Sequence, residues 1–239
     1  MSIFVLPGDL IVPGSTGSKK LKLGPGLVEQ SSAIVATRAG TLHSKQRTTF
    51  FIDSDTQRYV PASSDPVIGT ITARQAESYR VDIGSASPAT LDFLAFEGAS
   101  KRNRPSLRVG SLVYARVSVA QRHLDPEIQC YDATTGKSAG FGELKGGMVI
   151  KVGAKTARSL LSPTHFLLPL LGAQFPLEVA TGVNGRVWLS SVEKAASGSS
   201  TTSRNSVKNT IAAIRCVQAY DEEGLDAKGI LALLASLSL

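Results

Sequence analysis

Apolar and polar residues alternate strictly in two segments of the middle third of the chain. A strand has a side-chain period of two, so each of these segments places its apolar residues on one face. Three further segments are short and rich in β-branched and aromatic residues. The predicted strands are 67–74, 78–83, 91–95, 111–120 and 127–131. Five short strands in so few residues predict a small barrel of the OB type.

From residue 147 onward the hydrophobic period changes. Helical spacing replaces alternation in several segments, and a low-complexity stretch separates the last two helices from the rest. We expect Val207, Ile211, Ile214 and Val217 to form the buried face of the first of these two helices. The predicted order is strand 148–152, helices 154–161 and 163–171, strands 175–181 and 186–190, and helices around 207–217 and 225–237. Strand, helix, helix, strand, strand, helix is the order of a KH domain.

The first part of the chain consists of short strands interrupted by turn signals. Pro7-Gly8-Asp9 and Gly24-Pro25-Gly26 are typical turn sequences. A segment this small with few large apolar residues would be marginally stable alone, so we expect it to dock on a partner. The predicted domains are a small N-terminal β-domain (1–62), an S1 or OB barrel (63–148) and a KH-like domain (149–239). The fold class is therefore mostly β with an α+β C-terminal part.

The composition of the chain is typical of a globular protein. Of the 239 residues, 42% are hydrophobic and 19% charged, which is typical of a globular chain. The net charge of +7 divides as +3, +1 and +3 over the three predicted domains, so any attraction to polyanions must come from local clusters. The two cysteines lie in different domains, which argues against a disulfide framework. We find neither a signal peptide nor a stretch long enough to span a membrane.

Motifs for catalysis are incomplete. Gly136-Lys137-Ser138 lacks the leading glycine of a phosphate-binding loop, because Tyr131 stands in its place. The three histidines are far apart, and the acidic residues are scattered instead of converging as a metal site requires. We therefore predict a protein that is not an enzyme and that carries no metal and no cofactor.

A basic cluster is the strongest candidate for nucleic-acid contact. Lys101, Arg102, Arg104 and Arg108 fall within eight residues, between two predicted barrel strands. Such a charge run is often only a solvated loop, but a long loop on an OB-type barrel is also where nucleic acid is gripped. Arg116, on the outward face of the next strand, could extend the patch.

A second motif imitates an RNA-binding loop. Gly182-Val183-Asn184-Gly185 has the glycine spacing with which KH domains clamp a nucleic-acid backbone. That clamp belongs between the first two helices, where residues 161–164 contain no glycine. Asn184-Gly185 lies between two predicted strands and is a strong hairpin signal. We therefore assign Gly182, Asn184 and Gly185 to a structural hairpin turn of type I′, and expect a KH domain without its clamp.

Several segments together resemble one family. The matching segments are FVLPGD (4–9), LGPG (23–26), FEGASKRNRPSLRVGSLVYARV (96–117), GFGELKGGM (140–148) and GVNGRVWL (182–189). They resemble the S1/KH cap subunits of the eukaryotic RNA exosome. The resemblance covers all three predicted domains.

The resemblance implies a function and partners. The cap subunits of that family sit on a ring of RNase PH-like subunits beside other cap subunits. Single-stranded RNA passes through them to an associated 3′-to-5′ exonuclease. It also implies a role in rRNA processing and RNA degradation, location in the nucleus, nucleolus and cytoplasm, and ring docking through Pro7, Gly8, Asp9, Gly24, Pro25 and Gly26. The resemblance also favours RNA contact by the basic cluster.

Two other classes remain open from the residues themselves. One is a free-standing S1/KH RNA-binding protein, such as an RNA chaperone or a translation factor. The other is a nuclease assembled from distant residues.

Overall fold

The computed structural model describes residues 3–11, 21–30, 33–45, 49–54, 58–121, 123–191 and 204–237. The chain forms two compact units, residues 1–56 and 57–239. The larger unit contains both the barrel and the C-terminal α+β domain. No helix in the described ranges is long and apolar enough to cross a membrane.

The smaller unit is built from short strands. They are β1 Ile3–Val5, β2 Leu10–Ile11, β3 Lys22–Leu23, β4 Leu27–Gln30, β5 Ala33–Ala36, β6 Gly40–Lys45 and β7 Thr49–Asp53. They form a sheet of order β1-β6-β7-β3 and a second of order β2-β5-β4. Val5, Ile11, Leu27, Ile34, Ala36 and Ile52 are the buried apolar side chains described here. This core is small, as the sequence predicts.

The larger unit begins with a closed barrel. Its strands are β8 Pro66–Arg74, β9 Ser78–Asp82, β10 Ala89–Phe96, β11 Leu112–Val119 and β12 Glu127–Cys130, followed by β13 Gly142–Leu144. The order β12-β10-β9-β8-β11 is closed by pairing of β11 with β12, and β10 runs parallel to β12. Each of the five predicted strands overlaps one of these, so the predicted OB-type fold is confirmed.

The C-terminal domain follows the predicted KH order. Its elements are β14 Met148–Lys151, α1 Ala154–Leu160, α2 Leu167–Gln174, β15 Leu177–Gly182, β16 Arg186–Ser191, α3 Arg204–Glu223 and α4 Ala227–Leu237. The strands form a sheet of order β14-β16-β15, covered by helices. Asp221, near the end of α3, accepts the Gly153 N–H at 3.0 Å with its carboxylate and so holds the start of α1. The acidic run at 221–223 is thus partly a structural contact and not only a solvated helix end.

The second helix starts later than predicted. We expected Pro163 in its first turn, but α2 begins at Leu167. Residues 161–166 instead form successive turns, in which the Ser162 N–H donates to Ser159 O and the His165 N–H donates to Ser162 O. Pro163 lies within these turns, where its missing N–H costs nothing.

The buried face of α3 also differs from the prediction. Ile214 and Val217 are buried, but Val207 and Ile211 are 45% and 40% exposed. Ser206 and Thr210 face the sheet in their place, and the Thr210 hydroxyl accepts the Ser191 N–H at 3.1 Å. Thr210 on this face thus gives the Ser191 N–H at the end of β16 a hydrogen-bond acceptor, which an apolar side chain could not provide.

The hairpin between β15 and β16 joins the C-terminal domain to the barrel. Asn184 Nδ2 donates to Ile68 O at 2.8 Å and to Ile83 O at 2.9 Å, and its Oδ1 accepts the Ile68 N–H at 3.3 Å. Arg186 forms an ion pair with Asp82 at 2.6 Å. The Trp188 indole N–H donates to Gly146 O at 2.9 Å.

The contact with Arg186 stabilises the ionised form of the Asp82 carboxyl group. Partial burial acts to raise its pKa, but the hydrogen bonds from Arg186 and Gly84 and the positive charge of Arg186 outweigh that effect. The pKa of Asp82 therefore lies below its usual value, and the ion pair persists at neutral pH.

The hairpin turn is not the type I′ turn that we predicted. Gly185 has φ +72° and its N–H donates to Gly182 O at 3.2 Å, but Asn184 is not among the described non-glycine residues with positive φ. A type I′ turn requires positive φ at both central residues. Gly182 is needed for a different reason: a Cβ there would meet the Ile68 N at 2.8 Å. The turn packs so closely against Ile68 of β8 that no side chain fits at position 182.

Replacing Asn184 with alanine should loosen the junction between the barrel and the KH domain. The change removes the acceptor of the Ile68 N–H and the donor to Ile83 O, and leaves Ile68 O only the 3.4 Å contact with Arg186, so we expect a loss of about 2–4 kcal/mol in the free energy of unfolding. Guanidinium denaturation followed by Trp188 fluorescence would measure it. Asn103→Ala, in an exposed loop, is the control and should stay within about 0.5 kcal/mol of the parent. Equal stability of the two variants would contradict this account of the junction.

Candidate nucleic-acid interface

The basic cluster lies on the loop that connects β10 to β11. We call residues 97–111 the basic loop. Lys101, Arg102, Arg104 and Arg108 are all exposed on it. In the described residues none of the four forms an ion pair with a carboxylate. Their charges are therefore available to an outside anion.

A buried tyrosine anchors the middle of the basic loop. Tyr79 points into the barrel because it occupies an inward position of β9, and its ring packs edge-on against Phe93 at 4.6 Å. Its hydroxyl donates to Pro105 O at 2.8 Å and accepts the Leu107 N–H at 3.0 Å. Leu107 is itself buried. The loop is thus fixed at its centre and presents cations on both sides of the anchor.

A fifth cation, Arg74, approaches the basic loop from the end of β8. The guanidinium groups of Arg74 and Arg104 lie 5.4 Å and 5.3 Å from the centroid of the Phe93 ring. Arg74 Nη1 also donates to the Ser106 hydroxyl at 3.5 Å. Sequence reasoning missed Arg74, since only the barrel topology brings it beside residues some thirty positions later.

Arg116 has partners of its own. Its guanidinium forms an ion pair with Asp132 at 3.1 Å and donates to the Ser64 hydroxyl at 2.8 Å. The side chain is only 24% exposed. The four cations of the basic loop, in contrast, are exposed. Through its two contacts Arg116 connects Ser64, just before β8, with Asp132, just after β12.

The surface that OB folds commonly use for oligonucleotides is acidic here. That surface is the face of the second and third strands with the adjoining loops. In this barrel part of that face forms a groove of about 490 Å³ over β9, β10 and β12, whose charged lining residues in the described ranges are Glu77, Asp92 and Glu127, while Arg80 is exposed on β9 opposite the lining residue Thr90. We call it the acidic groove. Its carboxylates would repel phosphates, so the electrostatics favour the basic loop instead.

The KH domain offers no glycine loop at the usual clamp position. Residues 161–166 take that position and include Pro163. The His165 ring at their end is held by a hydrogen bond, in which the Leu167 N–H donates to His165 Nδ1 at 3.3 Å. His165 Nε2 therefore carries the ring proton and donates to the Tyr220 hydroxyl at 3.0 Å. Burial lowers the pKa of His165, which keeps the ring neutral. Gly182, Asn184 and Gly185 lie instead in the hairpin turn against the barrel.

The two N-terminal motifs have different surroundings. In the turn at Pro7-Gly8-Asp9, the Asp9 carboxylate accepts the Leu6 N–H at 2.7 Å, and the neighbouring Ile3, Phe4, Leu6 and Leu10 are exposed. Gly24, Pro25 and Gly26 make contacts inside the unit: the Gly24 N–H donates to Phe50 O at 2.7 Å, and Pro25 O accepts the Ile52 N–H. The first motif therefore lies among exposed apolar residues in the sequence, and the second holds two strands together.

Chemistry for catalysis is not assembled in the described ranges. No group of three or more His, Cys, Asp or Glu side chains there could hold a metal ion. Burial raises the pKa of the Cys130 thiol to about 12 and that of Cys216 to about 11, so neither is a ready nucleophile. The chemistry that the larger unit does present is a set of exposed cations on the basic loop without carboxylate partners in the described residues.

Three protein-family models match successive parts of the chain. They are described as Exosome complex exonuclease Rrp40 N-terminal domain (residues 21–58), Exosome complex component RRP40, S1 domain (59–142), and KH domain (147–195). Their order is the one predicted from the sequence.

Curated proteins show the same similarity. The exosome complex component rrp40 of Schizosaccharomyces pombe is 50% identical over 195 residues, covering 79% of this chain and 81% of that protein. Exosome complex component RRP40 of Saccharomyces cerevisiae is 42% identical, covering 79% and 82%. A crystal structure of a candidate exosome complex RNA-binding protein has a TM-score of 0.56 and 19% identity, covering 76% of this chain and 95% of that one, and supports the fold.

Removing the Tyr79 hydroxyl should release the centre of the basic loop. In Tyr79→Phe the Leu107 N–H loses its acceptor, so we expect its hydrogen exchange to accelerate by at least about tenfold, since a buried hydrogen bond is lost. Amide exchange read by NMR or mass spectrometry would measure it. Tyr114→Phe removes a hydroxyl that bonds Thr181 O and is the control. Unchanged protection of Leu107 would show that the loop is held by other contacts.

Proposed function

Because the chain belongs to the RRP40 family of exosome complex components, we propose that it is a cap subunit that guides single-stranded RNA along its basic loop to an exonuclease. The family consists of non-catalytic RNA-binding subunits with S1 and KH domains. We attribute the exonuclease named in the description of the N-terminal family to the complex, because catalysis resides in other subunits. The guided RNA would reach a separate 3′-to-5′ enzyme.

The observation that carries this proposal is the anchored, exposed and unpaired set of cations on the basic loop. Contacts of Lys101, Arg102, Arg104 and Arg108 with phosphates read no bases, which suits a conduit for many RNAs. Tyr79 holds the loop in place before RNA arrives, so less order is lost on binding. The acidic groove would keep the strand away from the rest of the barrel face.

We propose that Arg116 acts on the RNA path only indirectly. Its ion pair with Asp132 already satisfies the guanidinium. Its contribution to the patch would therefore be to brace the barrel.

The N-terminal unit would dock on the ring. Ile3, Phe4, Leu6 and Leu10 are each more than half exposed and are near Pro7, Gly8 and Asp9 in the sequence, and we call these four side chains the N-terminal apolar surface. Exposed apolar side chains gathered in one small unit are typical of a protein interface. The proposed partners are RNase PH-like ring subunits and the other cap subunits. Gly24, Pro25 and Gly26 would support this surface from within.

The cellular setting is proposed from the family resemblance. An exosome subunit of this kind would act in rRNA processing and RNA degradation, in the nucleus and nucleolus and also in the cytoplasm. Co-purification with a ring of RNase PH-like proteins would distinguish it from a free-standing S1/KH protein.

Reversing the charge of the basic loop should weaken RNA binding and shorten the protected RNA. For Lys101→Glu, Arg102→Glu and Arg104→Glu together, the slope of log K against log salt should fall by about 2, since each phosphate on a single strand contributes about 0.7. Fluorescence anisotropy across a salt series measures the slope. Nuclease protection in the assembled complex measures the length of RNA covered.

A matched variant controls for net charge. Lys208→Glu, Arg215→Glu and Lys228→Glu change the same number of charges at exposed positions of α3 and α4. This variant should keep both the slope and the protected length. Equal behaviour of the two triple variants would place the RNA on another surface.

Making the N-terminal apolar surface polar should impair assembly. Phe4→Ser and Leu10→Ser change side chains that are 68% and 69% exposed, so the fold should be retained. We expect the double variant to be displaced by wild type when both compete for incorporation into the complex. Val60→Ser with Leu124→Ser, also exposed, is the control. Equal incorporation of the two double variants would refute docking through this surface.

A further inference from the structure

Two arginines from distant parts of the barrel lie against one aromatic ring. Phe93 is only 3% exposed, and the guanidinium groups of Arg74 and Arg104 approach its ring to 5.4 Å and 5.3 Å. An arginine near an aromatic ring is attracted to its face, so the ring holds both cations in place. We call Arg74 and Arg104 the guanidinium pair.

The guanidinium pair lacks a carboxylate partner of the kind that Arg116 and Arg186 have. Arg116 pairs with Asp132, and Arg186 pairs with Asp82. Within the described ranges neither Arg74 nor Arg104 lies within ion-pair distance of an acidic group. The two guanidinium charges repel each other. An anion bound beside both would be attracted to each of them and would offset this repulsion.

Both members of the pair are positioned by rigid elements. Arg74 is the last residue of β8, and Arg104 immediately precedes Pro105, whose carbonyl is held by Tyr79. The Ser106 hydroxyl accepts from Arg74 Nη1 at 3.5 Å and still has its own hydrogen to donate. Three donors are therefore gathered before a ligand arrives, which lowers the entropic cost of binding.

We propose that Arg74 and Arg104, with the Ser106 hydroxyl, form a site for one backbone phosphate of single-stranded RNA. The inference rests on the proposed function and adds a residue outside the basic loop to it. A guanidinium presents paired N–H donors that match two oxygens of a phosphate. The site fixes one phosphate, and the remaining loop cations hold the neighbouring phosphates less strictly.

The test uses the full chain and a 5′-hydroxyl oligouridylate labelled at its 3′ end. Arg74→Gln should lower affinity at least about fivefold and reduce the salt slope by about 0.7, the value for one phosphate on a single strand. Arg74→Lys should keep most of the slope and still lose affinity, because an ammonium cannot make the paired contact. Arg80→Gln is the matched control, since Arg80 is exposed on the outer face of β9 and carries the same charge.

The outcomes separate this site from the proposed function. Equal effects of Arg74→Gln and Arg80→Gln would overturn the site, because net charge alone would then explain binding. If the basic-loop triple variant loses affinity and Arg74→Gln does not, the site fails and the proposed function stands. If neither variant changes binding, the proposed function fails as well. Oligouridylate with a 5′-phosphate should bind equally well, and a preference for it that Arg74→Gln abolishes would overturn assignment to a backbone phosphate.

Discussion

One carboxamide holds the larger unit together. Asn184 bonds backbone groups of both β8 and the residue after β9, so the KH hairpin is fixed to the barrel at three points. The Arg186–Asp82 ion pair and Trp188 reinforce the same junction. Because the Gly182–Gly185 segment is occupied in this contact, its backbone cannot clamp RNA. In the proposed function the KH domain is therefore a support, and the barrel carries the nucleic-acid surface.

Cations and carboxylates are concentrated on different parts of the barrel surface. The loop between β10 and β11 carries cations around an anchor provided by Tyr79, whereas the groove over β9, β10 and β12 carries carboxylates. In the proposed function this arrangement would hold phosphates at one side of the barrel and repel them from another. A few phosphate contacts give modest affinity alone, and neighbouring subunits would add to them. Such a surface would guide a strand without selecting its sequence.

Local patterns predicted most of the architecture and the identity of the basic loop. Alternation located two of the five barrel strands because one face of each is buried, the content of β-branched and aromatic residues located the other three, and proline and glycine marked the turns. Contacts between distant residues were not accessible in this way. Thr210 lies on the buried face of α3 in contact with Ser191 of β16, the 182–185 turn packs against Ile68, and Arg74 reaches Phe93 only through the barrel topology. Each of these is a tertiary contact that overrides or supplements the local signal.

We propose that RNA lies along the basic loop and avoids the acidic groove. Photo-crosslinking of single-stranded RNA to the assembled complex, with crosslinked peptides identified by mass spectrometry, tests it most directly. The account predicts crosslinks within residues 97–111 and at Arg74. Crosslinks concentrated on the acidic groove, at Asp92, Gln129 or Tyr131, with none in the basic loop, would contradict it.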